Sequence, residues 1–73
     1  MTPILGYVVV GDAGYSADQD GVLWLAKTDV TLFHNRKAAN RAIQRTRAYA
    51  IRHRLSWDID RMVVRPLRAR RDA

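Results

Sequence analysis

The sequence contains no cysteine, only two prolines among its 73 residues, and no apolar run as long as a membrane span. Without cysteine, neither a disulfide framework nor a thiolate metal site can stabilise so short a chain. A membrane-spanning helix needs roughly 18 to 20 apolar residues. The N-terminus also lacks the basic region, apolar stretch and small-residue cleavage site of a secretory signal. We therefore expect a cytoplasmic protein that is neither secreted by that route nor embedded in a membrane.

The size of the chain limits it to one domain with a modest core, because a chain this short buries only about 60% of its unfolded surface. Its hydrophobic share of 48% indicates a folded module, since disordered segments are poorer in apolar residues. We expect a single domain over residues 1–67, followed by a basic, frayed C-terminal tail over residues 68–73.

Negative charge is scarce in the second half of the chain. Residues 1–35 carry four aspartates against one lysine, whereas residues 36–73 carry twelve lysines or arginines against three aspartates. Eleven of the thirteen cations are arginine, whose planar guanidinium suits pairing with phosphate or carboxylate groups. A coding bias toward arginine explains that preference equally well. The split in charge predicts one strongly positive side, which attracts polyanions and acidic protein surfaces.

Apolar runs separated by turn-forming residues predict the strands. The segment "ILGYVVVGD" has the β-branched and aromatic content of a strand, and "VLWLAK" resumes an apolar run after "AGYSADQDG". We expect a hairpin with "AGYSADQDG" as its long tip. The piece "TDVTLFHN" either extends the second strand or forms a short third one. A last strand, "MVVRP", is expected to end at Pro66.

The segment from Asn35 to Arg54 predicts an amphipathic helix, with Asn35 as its N-cap. At about 100° per residue one arc collects the residues expected to face the core: Ala38, Ala39, Ala42, Ile43, Thr46, Tyr49, Ala50 and His53. The fold class that follows is α+β, a small antiparallel sheet made of the hairpin and the C-terminal strand, packed by this one helix. The order of elements is β-β-(β)-α-β.

Catalytic and metal-binding patterns are missing. The two serines, Ser16 and Ser56, lie in a loop and a turn, and the histidines flank the helix, so no nucleophile stands beside a base. The run "SADQDG" resembles the start of a calcium loop, but Lys27 occupies the position that needs a bidentate glutamate. A polar hairpin tip is the better interpretation. We expect no enzymatic activity, no cofactor, no metal site and no small-molecule substrate.

The helix is the candidate binding surface instead, because every ionised side chain from residue 35 to 54 is positive. Like charges spaced four apart repel by a few tenths of a kcal/mol each, and a solvated helix normally mixes in acids. An anionic partner therefore explains the pattern better than a solvated face does. Arg61 and Arg65 on the last strand would continue the surface. The predicted partner-binding or phosphate-binding residues are Arg36, Lys37, Arg41, Arg45, Arg47, Ile51, Arg52, Arg54, Arg61 and Arg65.

Ile51 is unusual because it falls in the middle of the polar arc, where an apolar side chain gains nothing unless something covers it. Either a partner covers it, or the chain after Arg54 folds back so that Leu55 or Trp57 does. The aromatic residues show no stacking platform in the sequence, and no helix-turn-helix, zinc finger or basic zipper is present. Any nucleic-acid binding is therefore expected to show little sequence preference.

The motifs "GYVVV…AGYSADQDGVLW…TLF…RKAANRAI", over roughly residues 6–50, resemble a pattern in small phage and prophage proteins. In that pattern a strand, a glycine-tyrosine hairpin tip ending in Asp-Gly, a tryptophan-containing strand, an apolar-Phe step and an alanine-rich helix follow in order. Some small α+β phage proteins of this size resemble anti-CRISPR inhibitors, which block a host nucleoprotein complex without catalysis. The resemblance implies an inhibitor whose basic helix departs from the acidic, DNA-mimicking kind.

The sequence thus favours a non-enzymatic, phage-type interaction protein that docks on an acidic host protein or nucleoprotein surface through its basic helix. The alternative is a small accessory module that binds DNA or RNA through phosphate contacts without sequence specificity. Both a monomer and a homodimer are compatible with the sequence.

Overall fold

A computed structural model describes residues 3–69 of the chain. The elements within residues 3–69 are β1 (Ile4–Val10), β2 (Gly14–Ala17), β3 (Leu23–Ala26), α1 (Arg36–Arg52), a short 3-10 helix (Ile59–Arg61) and β4 (Val63–Arg68). The strands pair antiparallel in one open sheet of order β3-β2-β1-β4, and this confirms the predicted small α+β fold.

The segment expected to be a long hairpin tip contains a strand, so that part of the prediction is wrong. Strand β2 pairs with β3 from Gly14↔Ala26 to Ala17↔Leu23, whereas β1 meets β2 only at Val10↔Gly14. The hairpin is therefore formed by β2 and β3 rather than by β1 and β3.

The tip of this hairpin is short and is organised by Asp18. Its carboxylate accepts the backbone N–H groups of Asp20 and Val22 and the indole N–H of Trp24, each at 2.9 Å. Gly21 completes the turn with φ of 82°, a left-handed conformation that favours glycine. The two aspartates that suggested a calcium loop thus lie in a turn closed by hydrogen bonds.

The segment after β3 fills the fork where β1 and β2 separate. The Thr31 N–H donates to the Tyr15 carbonyl at 3.1 Å, and Phe33 and Tyr7 exchange two backbone hydrogen bonds of 2.7 and 2.9 Å. Phe33 forms only an isolated bridge with β1, so the segment neither extends β3 nor makes a regular third strand.

Two glycines make this insertion possible. A Cβ added to Gly6 would lie 2.7 Å from Leu32 Cδ1 and from the Phe33 carbonyl oxygen, and one added to Gly14 would overlap Val30 Cγ2. Any side chain at either position would push the inserted segment out of the sheet.

Strand β4 continues through Pro66 to Arg68 instead of ending at the proline. Pro66 lies opposite Tyr7, whose backbone groups bond to Phe33 on the other side of β1. Because antiparallel hydrogen bonds alternate, the Pro66 nitrogen faces the open edge of the sheet, where a missing N–H breaks no ladder bond. Of the predicted tail, Arg68 belongs to β4 and the Ala69 N–H donates to the Pro3 carbonyl at 2.9 Å. Residues 70–73 lie outside the described residues.

Helix α1 packs an alanine-rich face on the sheet. Asn35 caps it as predicted, with its side-chain oxygen accepting the Ala38 N–H at 2.8 Å. Small side chains let the helix lie close to the strands, and Val9 and Leu23 fill the space between the two layers. The buried helix residues, all within the predicted arc, are Ala39, Ala42, Ile43, Thr46 and Ala50.

Thr46 ties the helix to the edge of the sheet. Its hydroxyl is fully buried, accepts the Leu23 N–H at 2.9 Å and donates to the Ala42 carbonyl at 2.7 Å. The bond to Leu23 holds this side of α1 against the edge strand, and with it sets the direction of the basic face.

Candidate functional site

The exposed side of α1 carries two rows of cations. We call the row of Lys37, Arg41, Arg45 and Arg52 the Lys37 ridge. We call Arg36 and Arg47, together with Arg54 just beyond the helix end, the Arg47 ridge. No acidic residue lies in the first turn of the helix.

The Arg47 ridge is engaged with the rest of the chain. Arg47 Nη2 lies 3.0 Å from Asp60 Oδ1, and the Arg36 guanidinium carbon lies 4.9 Å from the centre of the Tyr7 ring, a cation–π contact. Arg54 follows the helix end in a left-handed conformation with φ of 54°. These contacts hold Arg36 and Arg47 against the fold and use part of their charge there.

Within the described residues, the Lys37 ridge contacts the rest of the fold through Arg45 alone. Arg45 Nη1 donates to the Asp20 carbonyl at 3.1 Å, and its side chain passes over Gly21. Lys37, Arg41 and Arg52 are exposed and make no ion pair or side-chain hydrogen bond within residues 3–69. Three cations of this ridge therefore remain available to a partner.

Ile51 lies between the two ridges, with 72% of its surface exposed. The alternative in which the following segment covers it is wrong. Leu55 instead closes the helix by donating its N–H to the Ala50 carbonyl at 2.8 Å, and Trp57 packs on Tyr49. Nothing in the described part of the chain covers Ile51.

Arg61 and Arg65 do not join the helix surface as expected. Arg61 lies in the 3-10 helix, where it pairs with Asp58 at 3.0 Å and with Asp12 at 3.4 Å. Arg65 follows Val64, which packs against the core, so on the alternating strand it lies on the sheet face opposite α1. The structure therefore brings together the helix cations and Ile51 only.

An aromatic cluster that no sequence pattern predicted borders the Lys37 ridge. Trp24 lies 5.7 Å from Tyr49 and 5.1 Å from Trp57, both edge-to-face, and Tyr49 stacks on Trp57 at 5.6 Å. His53, expected in the core, is exposed and lies 4.3 Å from the Tyr49 ring. The hydrogen bond from the Trp24 indole is the largest cause of the lowered pKa of Asp18. Trp24 is far from Tyr49 and Trp57 in sequence, so no local pattern could reveal the cluster.

Two grooves lie beside the cluster. One has a volume of about 530 Å³ and is lined in part by Trp24, Trp57 and Leu25. The other, of about 400 Å³, has Arg45 and Arg52 in its lining together with Tyr49 and His53. In the second groove, two cations of the Lys37 ridge therefore lie beside the Tyr49 and His53 rings.

Within residues 3–69 no group of three His, Cys, Asp or Glu side chains is placed to hold a metal ion. In the same range no helix has both the length and the apolar character needed to cross a bilayer. Comparison of the chain with models of known protein families, with curated proteins and with solved structures finds no match. Any functional proposal therefore rests on the geometry described above.

Proposed function

We propose that this chain is a non-enzymatic interaction protein that docks the Lys37 ridge and Ile51 on an acidic surface of a host protein or nucleoprotein complex. It acts in the host cytoplasm and inhibits or redirects that complex, as the small phage inhibitors of the anti-CRISPR kind do. The observation that carries the proposal is the exposure of Ile51 on the same side of the helix as Lys37, Arg41 and Arg52, which make no ion pair or side-chain hydrogen bond within residues 3–69.

The position of Ile51 favours a protein as the partner. A phosphate backbone satisfies cations but offers no apolar surface to an isoleucine, whereas a protein surface offers carboxylates and an apolar pocket together. Burying an isoleucine side chain contributes about 1.5 to 3 kcal/mol. That gain is available only to a partner that contacts the centre of the face.

The unpaired charges of the Lys37 ridge support the same partner. Lys37, Arg41 and Arg45 follow one another at intervals of four residues, so they repel in the free protein by a few tenths of a kcal/mol per pair. An acidic surface removes this repulsion and accelerates association by electrostatic steering. The face is therefore destabilising when free and satisfied when bound.

A second function, binding of single-stranded nucleic acid, is favoured by the 400 Å³ groove. There Arg45 and Arg52 stand beside Tyr49 and His53, so a phosphate and a stacked base would both find contacts. Such binding would be steeply salt-dependent and would not require Ile51.

The test compares capture of proteins from a nuclease-treated bacterial lysate by immobilised wild-type chain and by variants. We expect a specific partner that is lost with Lys37→Glu and with Ile51→Glu. It should be retained with Lys27→Glu, which makes the same charge change outside the helix. A partner retained by Ile51→Glu would exclude the role given to this face.

Titration with labelled single-stranded and double-stranded DNA and RNA separates the two functions. Under the protein-docking proposal, affinity at moderate salt is weak and Ile51→Glu has no special effect beyond its charge. Tight binding that falls steeply between about 50 and 200 mM salt would establish the nucleic-acid function instead.

A further inference from the structure

The geometry points to a second binding site: the 530 Å³ groove beside Trp24 and Trp57 takes an extended peptide segment that carries a basic side chain next to apolar ones. This site differs from the helix face in both shape and charge, and it does not depend on the function proposed above.

The wall of the groove is apolar and incompletely covered. Trp24 and Leu25 expose 43% and 70% of their surfaces, and the rest of the apolar wall is formed by Tyr15, Leu23, Trp57 and Met62. Large apolar side chains left open in a concave surface gain free energy when a ligand removes them from water. An apolar portion of the ligand therefore lies against these rings.

The rim of the groove selects a cation. Asp12 and Asp58 both lie there, and the single guanidinium of Arg61 is shared between them at 3.4 and 3.0 Å. One positive charge against two carboxylates leaves the rim negative. The longer contact, to the highly exposed Asp12, is the weaker of the two, so an incoming basic side chain pairs with Asp12.

The neighbouring sheet edge identifies the ligand as an extended peptide. Strand β3 is the outer strand of the sheet, and Leu25 belongs to the set of residues whose backbone groups face away from β2. Leu23, the other such residue, has its N–H occupied by Thr46. Leu25 therefore offers an N–H and a carbonyl to an added strand, and side chains of that strand reach the groove.

Tryptophan fluorescence reports directly on this site, because the only two tryptophans of the chain line the groove. The probe is an acetylated, tryptophan-free hexapeptide of alternating valine and threonine with one arginine at its centre. The matched peptide carries glutamate in place of arginine. We expect a saturable change of emission with the arginine peptide below about 2 mM, and at least about fivefold weaker binding of the glutamate peptide.

Variants locate the peptide in the groove. Asp12→Asn should weaken binding by about two- to fivefold, whereas Asp29→Asn, which removes the same charge elsewhere, should leave it unchanged. Leu25→Lys should abolish binding, since a cation at the edge repels the probe and blocks strand addition, and Thr28→Lys should not. Circular dichroism melts confirm that each variant folds, since all four positions are exposed.

No response to the arginine peptide, equal binding of both peptides, or equal binding by the Leu25→Lys and Thr28→Lys variants would overturn the proposal. The Lys37→Glu variant distinguishes this site from the helix face. It should show the same peptide-induced change of tryptophan emission as the wild type, whether or not the helix face binds its own partner.

Discussion

The two cationic ridges of α1 have nearly the same composition but different surroundings. The Arg47 ridge is held by Asp60 and by the Tyr7 ring. Among residues 3–69, the hydrogen bond of the Lys37 ridge to the fold is the one from Arg45 to the Asp20 carbonyl. Apart from Arg54, which follows the helix end, both rows lie on one helix, on either side of Ile51. The difference teaches that a row of arginines is not by itself a binding surface, since the position of a few aspartates and rings decides which cations remain free.

The largest change in the free energy of unfolding is expected at Thr46. The two ridges differ in their contacts only while α1 keeps its orientation on the sheet. Thr46→Val leaves the buried Leu23 N–H without its acceptor, which costs about 1 to 3 kcal/mol. Urea unfolding followed by circular dichroism measures the loss. Thr46→Ser, which keeps the hydroxyl, should be clearly more stable than the valine variant, and equal stability of the two would contradict this role.

Charge reversal on the two ridges should change stability in opposite directions. Arg47→Glu breaks the ion pair with Asp60 and places the new glutamate beside that aspartate, so that the two carboxylates repel. Stability should fall by up to about 1 kcal/mol. Lys37→Glu removes repulsion with Arg41 and puts an acid in the first helical turn, which raises stability by about 0.3 to 1 kcal/mol. Thermal unfolding of both variants decides the matter. Shifts of the same sign would remove the distinction between the ridges.

Neutral substitutions at the start of the helix sharpen the comparison further. Arg36→Gln loses the cation–π contact with Tyr7, about 0.5 kcal/mol at an exposed site, whereas Lys37→Gln loses no contact with the chain. The Tyr7 ring resonances should move in the first variant only. If both variants shift them equally, Arg36 is not held by the ring.

The smallest effect concerns the hairpin tip, where the Lys37 ridge contacts the fold. The Trp24 indole and the backbone N–H groups hold the pKa of Asp18 below its ordinary value. A carboxyl group with a lowered folded-state pKa contributes stability above its unfolded pKa, and this contribution is lost as the pH falls through the folded pKa. The Trp24 indole N–H signal followed by NMR should therefore titrate below the range of a free aspartate. Asp18→Asn should remove that transition, and titration in the ordinary range would refute the assignment.

The helix could be predicted because its information is local. The periodicity that placed Ala39, Ala42, Ile43 and Ala50 on one face depends only on residues a few positions apart, and all four are buried. The prediction that His53 faces the core was wrong because the helix ends at Arg52, so the helical periodicity does not extend to His53. The Asn35 cap is likewise a contact across three residues.

Strand β2, the course of β4 through Pro66 and the aromatic cluster could not be predicted, because each depends on residues that are distant in sequence. Strand β2 consists of Gly, Tyr, Ser and Ala and resembles a turn, but β3 on one side and Thr31 on the other hold it extended. Whether Pro66 ends a strand depends on which way its nitrogen faces, and that is set by β1 and Phe33. The aromatic cluster joins positions 24, 49 and 57, and the same packing decides that Trp57 does not cover Ile51.

Pro66 also sets a limit on polymerisation. A sheet grows from copy to copy only if each molecule offers two edges, one to add to its neighbour and one to receive the next. Here β3 can accept a strand, but the outer edge of β4 lacks an N–H at its fourth residue. Two copies joined through β3 would present a β4 edge at each end of the shared sheet. Each of these edges would accept a further strand poorly, because Pro66 lacks an N–H. Pro66 therefore disfavours backbone pairing beyond two copies joined through β3.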